Sequence, residues 1–206
     1  MTRKPRMGYV AGGRVVGIGL FIVTIAVLPS RLLGQDSTIG KPTAVLVDGP
    51  REGERAPDFS LPWASKDTTG GASWFSLSGQ RGRLVLLAFY PRDFTPGCTA
   101  ELKTFTEQYA DLFGDDVVVV GISADSLETH QRFAQSLNLP FRLLSDPDQK
   151  VSRKFGSADR NGYNRRTVYL IDRNGRVSYT DVRFGGLDPK AYTRLKAAVQ
   201  AARRGA

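Results

Sequence analysis

Apolar residues change their spacing several times along this chain, and each spacing predicts an element. Residues 83–90 (RLVLLAFY) are a near-continuous apolar run between a glycine-rich turn and a proline, the pattern of a strand buried on both faces of a sheet. Residues 117–122 (VVVVGI) repeat that pattern. Between the two, within residues 99–113, Leu102, Phe105, Tyr109 and Leu112 are spaced as one face of an amphipathic helix. Residues 126–137 predict a second helix, with Leu127, Phe133 and Leu137 on one face and Asp125 or Ser126 as N-cap. Two short strands at 56–62 and 72–77 flank the turn-rich 66–71. Further on come a short strand at 141–144 and a short helix at 149–155 stopped by Gly156. Strands at 167–171 and 176–182 then flank Asp172-Arg173-Asn174-Gly175, where Asn-Gly favours a tight turn. A closing helix from Pro189 carries the stripe Tyr192, Leu195 and Val199. Alternating strands and helices followed by a hairpin predict an α/β layer architecture with a mixed central sheet.

Hydrophobic residues make up 41% and charged residues 24% of the 206 residues, the balance of a folded domain. The formal net charge of +9 invites a nucleic-acid reading, but its distribution argues against one. Arg3, Lys4, Arg6, Arg14 and Arg31 all fall in the first 34 residues, where no acid occurs. No basic run with interleaved aromatics appears later, so no nucleic-acid partner is expected.

That basic start precedes an uncharged stretch at 15–30 (VVGIGLFIVTIAVLPS), short for a membrane span and within the range of a signal-peptide core. Residues 1–34 are therefore expected to be a signal peptide or an N-terminal membrane anchor, with both alternatives open. Residues 35–52 read as a polar, Gly/Pro-punctuated linker, and residues 53–206 as the folded domain. The positive start places the domain outside the cytoplasm, exported or periplasmic, with or without a membrane tether.

The chain has one cysteine, so a disulfide framework within it and a multi-cysteine metal site are both excluded. No cofactor or metal is expected. Cys98 follows the buried strand and a Pro/Gly turn and stands where the amphipathic helix starts. Backbone N–H groups there lack intrahelical partners, and the helix dipole puts partial positive charge beside the sulfur. Both favour thiolate, the nucleophilic form. Thr95, three residues earlier, can turn its hydroxyl towards the sulfur. An inert buried cysteine is the plain alternative, which the turn context disfavours.

The segment FYPRDFTPGCTAE around Cys98 carries a specific likeness. Pro91-x-x-x-Thr95-x-x-Cys98 resembles the active-site signature of the peroxiredoxins, and the wider segment resembles their bacterioferritin comigratory protein branch. The resemblance extends over roughly residues 53–200, through the VVGIS strand, the LPFRLLSDPD stretch and the strand ending Leu170-Ile171-Asp172. It implies a thioredoxin-like fold and a thiol peroxidase acting on hydrogen peroxide and organic hydroperoxides. It also implies roles: Cys98 as nucleophile, Thr95 as hydrogen-bond partner of thiolate and peroxide, and Pro91 as a cover over the sulfur. Arg166 would stabilise charge and Glu101 would orient it. Arg165 is the neighbouring candidate, and since adjacent strand residues face oppositely only one of the two can serve.

Where members of this branch often carry a resolving cysteine, five residues after the nucleophile, this chain has Lys103. The expected cycle therefore needs an external thiol, from a thioredoxin-like or other reductant, acting on a monomer or homodimer. A membrane-tethered thiol–disulfide oxidoreductase shares the fold but needs Cys-x-x-Cys, and Cys98 is followed by Thr99-Ala100-Glu101. A redox-sensing module on the same scaffold is a third reading. His130, the single histidine, reads as solvated within a polar helix, and Trp63 and Trp74 as core or sheet-face aromatics.

Overall fold

The structure, a computed structural model, describes residues 12–13 and 49–205. The apolar stretch at 15–30 and linker residues 35–48 lie outside the described residues, and with them the leader and its signal-or-anchor alternatives. Internal contacts separate Met1–Thr43 from Ala44–Ala206, and every element below belongs to the second unit. Its body begins before residue 53. The Thr180 N–H donates to Glu52 at 3.1 Å, and the Arg51 N–H to Glu54 at 2.9 Å.

Seven strands among the described residues form one sheet. In chain order they are β1 (Ser60–Ala64), β2 (Thr69–Ser76), β3 (Leu84–Phe89), β4 (Val117–Ser123), β5 (Arg142–Ser145), β6 (Thr167–Ile171) and β7 (Val177–Asp181). Their spatial order is β2-β1-β5-β4-β3-β6-β7. The central β3, β4 and β5 run parallel, and the flanking pairs are antiparallel, so the sheet is mixed as expected. The helices are α1 (Pro96–Glu107), α2 (Tyr109–Leu112), α3 (Leu127–Leu137), α4 (Lys150–Lys154) and α5 (Pro189–Arg204).

All six residues of β3 are buried, because both faces of the sheet are covered. Leu84, Leu86, Ala88 and Tyr90 face one core with residues of α1, α3 and α5, while Val85, Leu87 and Phe89 face another with Phe59, Phe75, Val151 and Phe155. Each such buried leucine or phenylalanine contributes roughly 1.5–3 kcal/mol relative to exposure. The sheet gives the site its rigid floor.

Four local readings shift. The helix expected over 99–113 starts three residues earlier, because Pro96 at the first helical position has a preset φ and needs no hydrogen-bond partner. It then breaks at Gln108 (φ −103°, ψ 16°), and the turn lets Tyr109 stack on Phe141 and meet Phe113 edge-on. The strand expected from residue 56 enters the ladder only at Ser60. In the β6–β7 hairpin only Gly175 takes a positive φ (75°), and its N–H donates to Asp172 at 2.9 Å. That is a turn closed by a glycine bulge, not a two-residue Asn-Gly turn.

Candidate active site around Cys98

The chain leaves β3 at Phe89, crosses residues 90–95 and enters α1, where Cys98 is the third helical residue. Thr95 is the N-cap (φ −82°, ψ 145°), held extended by the proline that follows it. Phe105 fixes α1 from behind through rings of Phe113, Phe184 and Tyr192, with centroids 5.5–5.8 Å away. Cys98 is buried within the same core as Leu102 and Phe105, with no exposed surface.

The register of β6 decides which arginine reaches it. Phe89 pairs with Thr167, so residue 166 lies beside the point where the chain leaves β3. Side chains alternate along a strand, and Val168 and Leu170 belong to the core that contains Cys98. Arg166 therefore projects to that side. Its Nη2 donates towards Cys98 Sγ at 3.6 Å, and its Nη1 pairs with Glu101. Arg165 points away and donates to the Gly156 carbonyl. Two glycines make room for the arginine. A Cβ on Gly97 would stand 3.1 Å from Arg166 Nη2, and one on Gly186 would stand 3.1 Å from both Arg166 Cδ and Glu101 Cβ.

Glu101 is wholly buried, and its Oε1 has no hydrogen-bond partner among the described residues. Burial pushes its carboxyl up to about 7, although the charge and hydrogen bond of Arg166 pull it down. Burial weakens Arg166 as an acid-base site in the opposite sense, but Glu101 and Cys98 outweigh it and raise the guanidinium further, so it stays charged. The arrangement is a fixed cation between a carboxyl group and a sulfur.

Thr95 and Pro91 take less direct positions. The Thr95 hydroxyl donates to the Arg92 carbonyl at 3.0 Å, which leaves its lone pairs free to accept. Pro91 is half-buried at the bend after β3 and lines a shallow hollow with Asp125 and Tyr163. Between them, Phe94 has a φ of 57° and is 53% exposed, with its ring 4.9 Å from that of Phe133. A bulky residue in that region is strained by about 1–3 kcal/mol, so its neighbours must hold it there.

His130 is not solvated as its polar neighbours suggest. It is fully buried, with Nδ1 2.8 Å from Asp93 Oδ2 and Nε2 3.2 Å from the Leu144 carbonyl. The reason is periodicity: α3 buries 130, 133 and 134, one helical face that the polar look of the segment concealed. Tyr90 donates to Asp93 Oδ1 at 2.7 Å, and Asp125 Oδ2 accepts from the Asp93 N–H at 2.9 Å and from Ser123 at 2.6 Å. Asp93, Asp125 and His130 bring metal-ligand atom types within 4.8 Å of one another, and these donors account for the grouping without an ion. Trp63 packs partly buried under the Arg142 guanidinium at 4.2 Å, whereas Trp74 on the edge strand is exposed.

Comparison with known proteins agrees with the geometry. Residues 53–180 match the AhpC/TSA family model. The chain is 42% identical over 133 residues to the putative peroxiredoxin bcp of Coxiella burnetii, covering 61% of this chain and 84% of that one. It is 35% identical over 133 residues to peroxiredoxin Bcp of Bacillus subtilis, covering 61% and 80%. Among solved structures, peroxidoxin BcpB of Mycobacterium tuberculosis superposes with a TM-score of 0.63 at 26% identity, over 74% of this chain and 97% of that one. The bacterioferritin comigratory protein of Xanthomonas campestris, studied for alkyl peroxide reduction, gives 0.59 at 25% identity, over 69% and 92%. The fold is thioredoxin-like.

Proposed function

We infer, on the premise that this chain belongs to the AhpC/TSA family, that Cys98 is the nucleophile with which it reduces hydroperoxides. The chain is a thiol-dependent peroxidase of the Bcp type. The observation that carries the assignment to Cys98 is the Arg166 guanidinium 3.6 Å from the single sulfur of the chain.

The Cys98 thiolate attacks one peroxide oxygen, and a sulfur–oxygen bond forms as the oxygen–oxygen bond breaks. Sulfur is oxidised by two electrons to the sulfenic acid, and the departing oxygen takes up a proton to leave as water or an alcohol. Arg166 faces the charge that shifts from sulfur to oxygen, and its fork is held by Glu101, so little reorganisation is needed during reaction. Thr95, with free lone pairs, accepts the hydroperoxide O–H. Pro91 stiffens the bend that delivers Thr95. An external thiol then attacks the sulfenic sulfur and releases water, and a second thiol frees Cys98 by disulfide exchange. One cysteine in the chain supports this one-cysteine cycle with hydrogen peroxide and organic hydroperoxides as substrates.

The basic, then uncharged, N-terminal segment supports an exported, extracytoplasmic location, with the segment cleaved or kept as a tether. The oxidoreductase alternative lacks its second cysteine and is not favoured.

The test is peroxide consumption with added dithiothreitol. Parent protein turns over saturably and Cys98→Ser does not. Equal rates in the two proteins reject the assignment.

A further inference from the structure

We propose that His130 is a positioning residue for the peroxide reaction, acting through Asp93 on the loop that brings Thr95 and the first turn of α1 to the sulfur. The inference rests on the peroxidase reading above and adds a residue that touches neither sulfur nor substrate.

The loop is pinned at one point and forced to turn at the next. Asp93 is buried, and its N–H and both carboxylate oxygens are bound. Its N–H goes to Asp125 at 2.9 Å, Oδ1 accepts from Tyr90 at 2.7 Å, and Oδ2 faces His130 Nδ1 at 2.8 Å. Two residues later Thr95 is fixed extended by Pro96. Phe94, between these two constrained neighbours, takes a positive φ of 57°. Its ring rests on Phe133, one helical turn beyond His130 on the same face of α3. Thus α3 holds the loop twice, once by a polar clamp and once by an aromatic contact.

Hydrogen accounting shows how the clamp closes. The Leu144 carbonyl can only accept, so His130 Nε2 carries a hydrogen. Nδ1 faces a carboxylate oxygen, so one further proton lies between Nδ1 and Asp93 Oδ2. Burial and the Asp93 charge raise Tyr90 well above its ordinary range, so its hydroxyl remains a donor to Asp93. Gly121 leaves the space this requires, since a Cβ there would press on the Tyr90 ring at 3.0 Å. An asparagine at position 93 meets the same demands without the shared proton: its amide N–H donates to Nδ1, and its carbonyl accepts from Tyr90.

The experiment measures two rate constants on the full chain, oxidation of Cys98 by hydrogen peroxide and its alkylation by iodoacetamide. The second reports a reactive sulfur that needs no oriented peroxide. Asp93→Ala and His130→Phe are expected to lower the peroxide rate by about tenfold or more, since misplacement of reacting groups is costly. Their iodoacetamide rates stay level or rise. Asp93→Asn is expected to keep a rate close to the parent. The proposal is overturned if Asp93→Ala oxidises as fast as the parent, if both rates fall in the same proportion, or if Asp93→Asn is as slow as Asp93→Ala. Should His130→Phe fail to fold, the two Asp93 variants decide the matter alone. A parent protein that peroxide does not oxidise removes the peroxidase reading itself, an outcome distinct from any of these.

Discussion

Arg166 holds Cys98 and Glu101 with the two ends of one guanidinium, Nη2 standing 3.6 Å from Sγ while Nη1 is bound by the carboxylate. A lysine carries the same charge but lacks the fork, so it can satisfy one partner at a time. Arg166→Lys is expected to lower the second-order rate with hydrogen peroxide by about 10²–10³, the usual effect of losing a donor aimed at developing charge. Arg165→Lys, on the other side of the strand, leaves the rate unchanged. Stopped-flow oxidation of both variants tests the pair, and a full rate in Arg166→Lys shows that the fork is dispensable.

Gly97 separates activity from stability. A Cβ at this position meets the guanidinium end at 3.1 Å, so the arginine must withdraw from its place beside the sulfur. The fold itself gains, since Gly97 has no positive φ and replacing such a glycine by alanine stabilises by about 0.4–1 kcal/mol through the unfolded chain. Gly97→Ala should therefore melt at or slightly above the parent temperature while its peroxide rate falls about tenfold, or ~1.4 kcal/mol of barrier. A variant with parental rate shows that the arginine can shift without consequence.

Glu101 predicts a pH dependence of stability. Its carboxyl lies at about 7 in the folded protein against an ordinary value of 4.5, because burial disfavours the charged form more than Arg166 favours it. A raised acid binds its proton more tightly when folded. Its contribution to stability is full below about 4.5 and is lost as pH rises through about 7. Glu101→Gln removes that dependence. Thermal melts at pH 5 and pH 8 should show the parent losing several degrees more than Glu101→Gln, at about 2–4 °C per kcal/mol for a domain of this size. Equal losses would mean that Glu101 does not titrate in this window.

The nucleophile was legible because it is tied to a local pattern: Cys98 follows a buried strand and a Pro/Gly turn. Arg166 was matched only through the resemblance, anchored on Leu170-Ile171-Asp172, and the choice between it and Arg165 needed the register of β6. Central strands were equally plain, since a run such as VVVVGI fits only a doubly covered position. The Asp93–His130 clamp was not legible. Asp93 stands between Arg92 and Phe94 with no pattern that marks it as buried, and His130, flanked by Thr129 and Gln131, reads as solvated. They lie 37 residues apart and meet only through the β3–β4–β5 packing that sets α3 over the loop. The helix period did contain a clue: His130 shares the spacing of Phe133, Ala134 and Leu137. The start of α1 shifted for a smaller reason, the preset φ of Pro96.

Cys98 has no open surface and sits inside the opening turn of a helix. A hydroperoxide presents only two oxygens at its reacting end. A reductant's thiol arrives on a larger body and must line up behind the sulfur–oxygen bond. With no second sulfur in the chain, an incoming thiol has to reach this same buried atom, so the opening turn of α1 stands between the oxidised sulfur and its reductant.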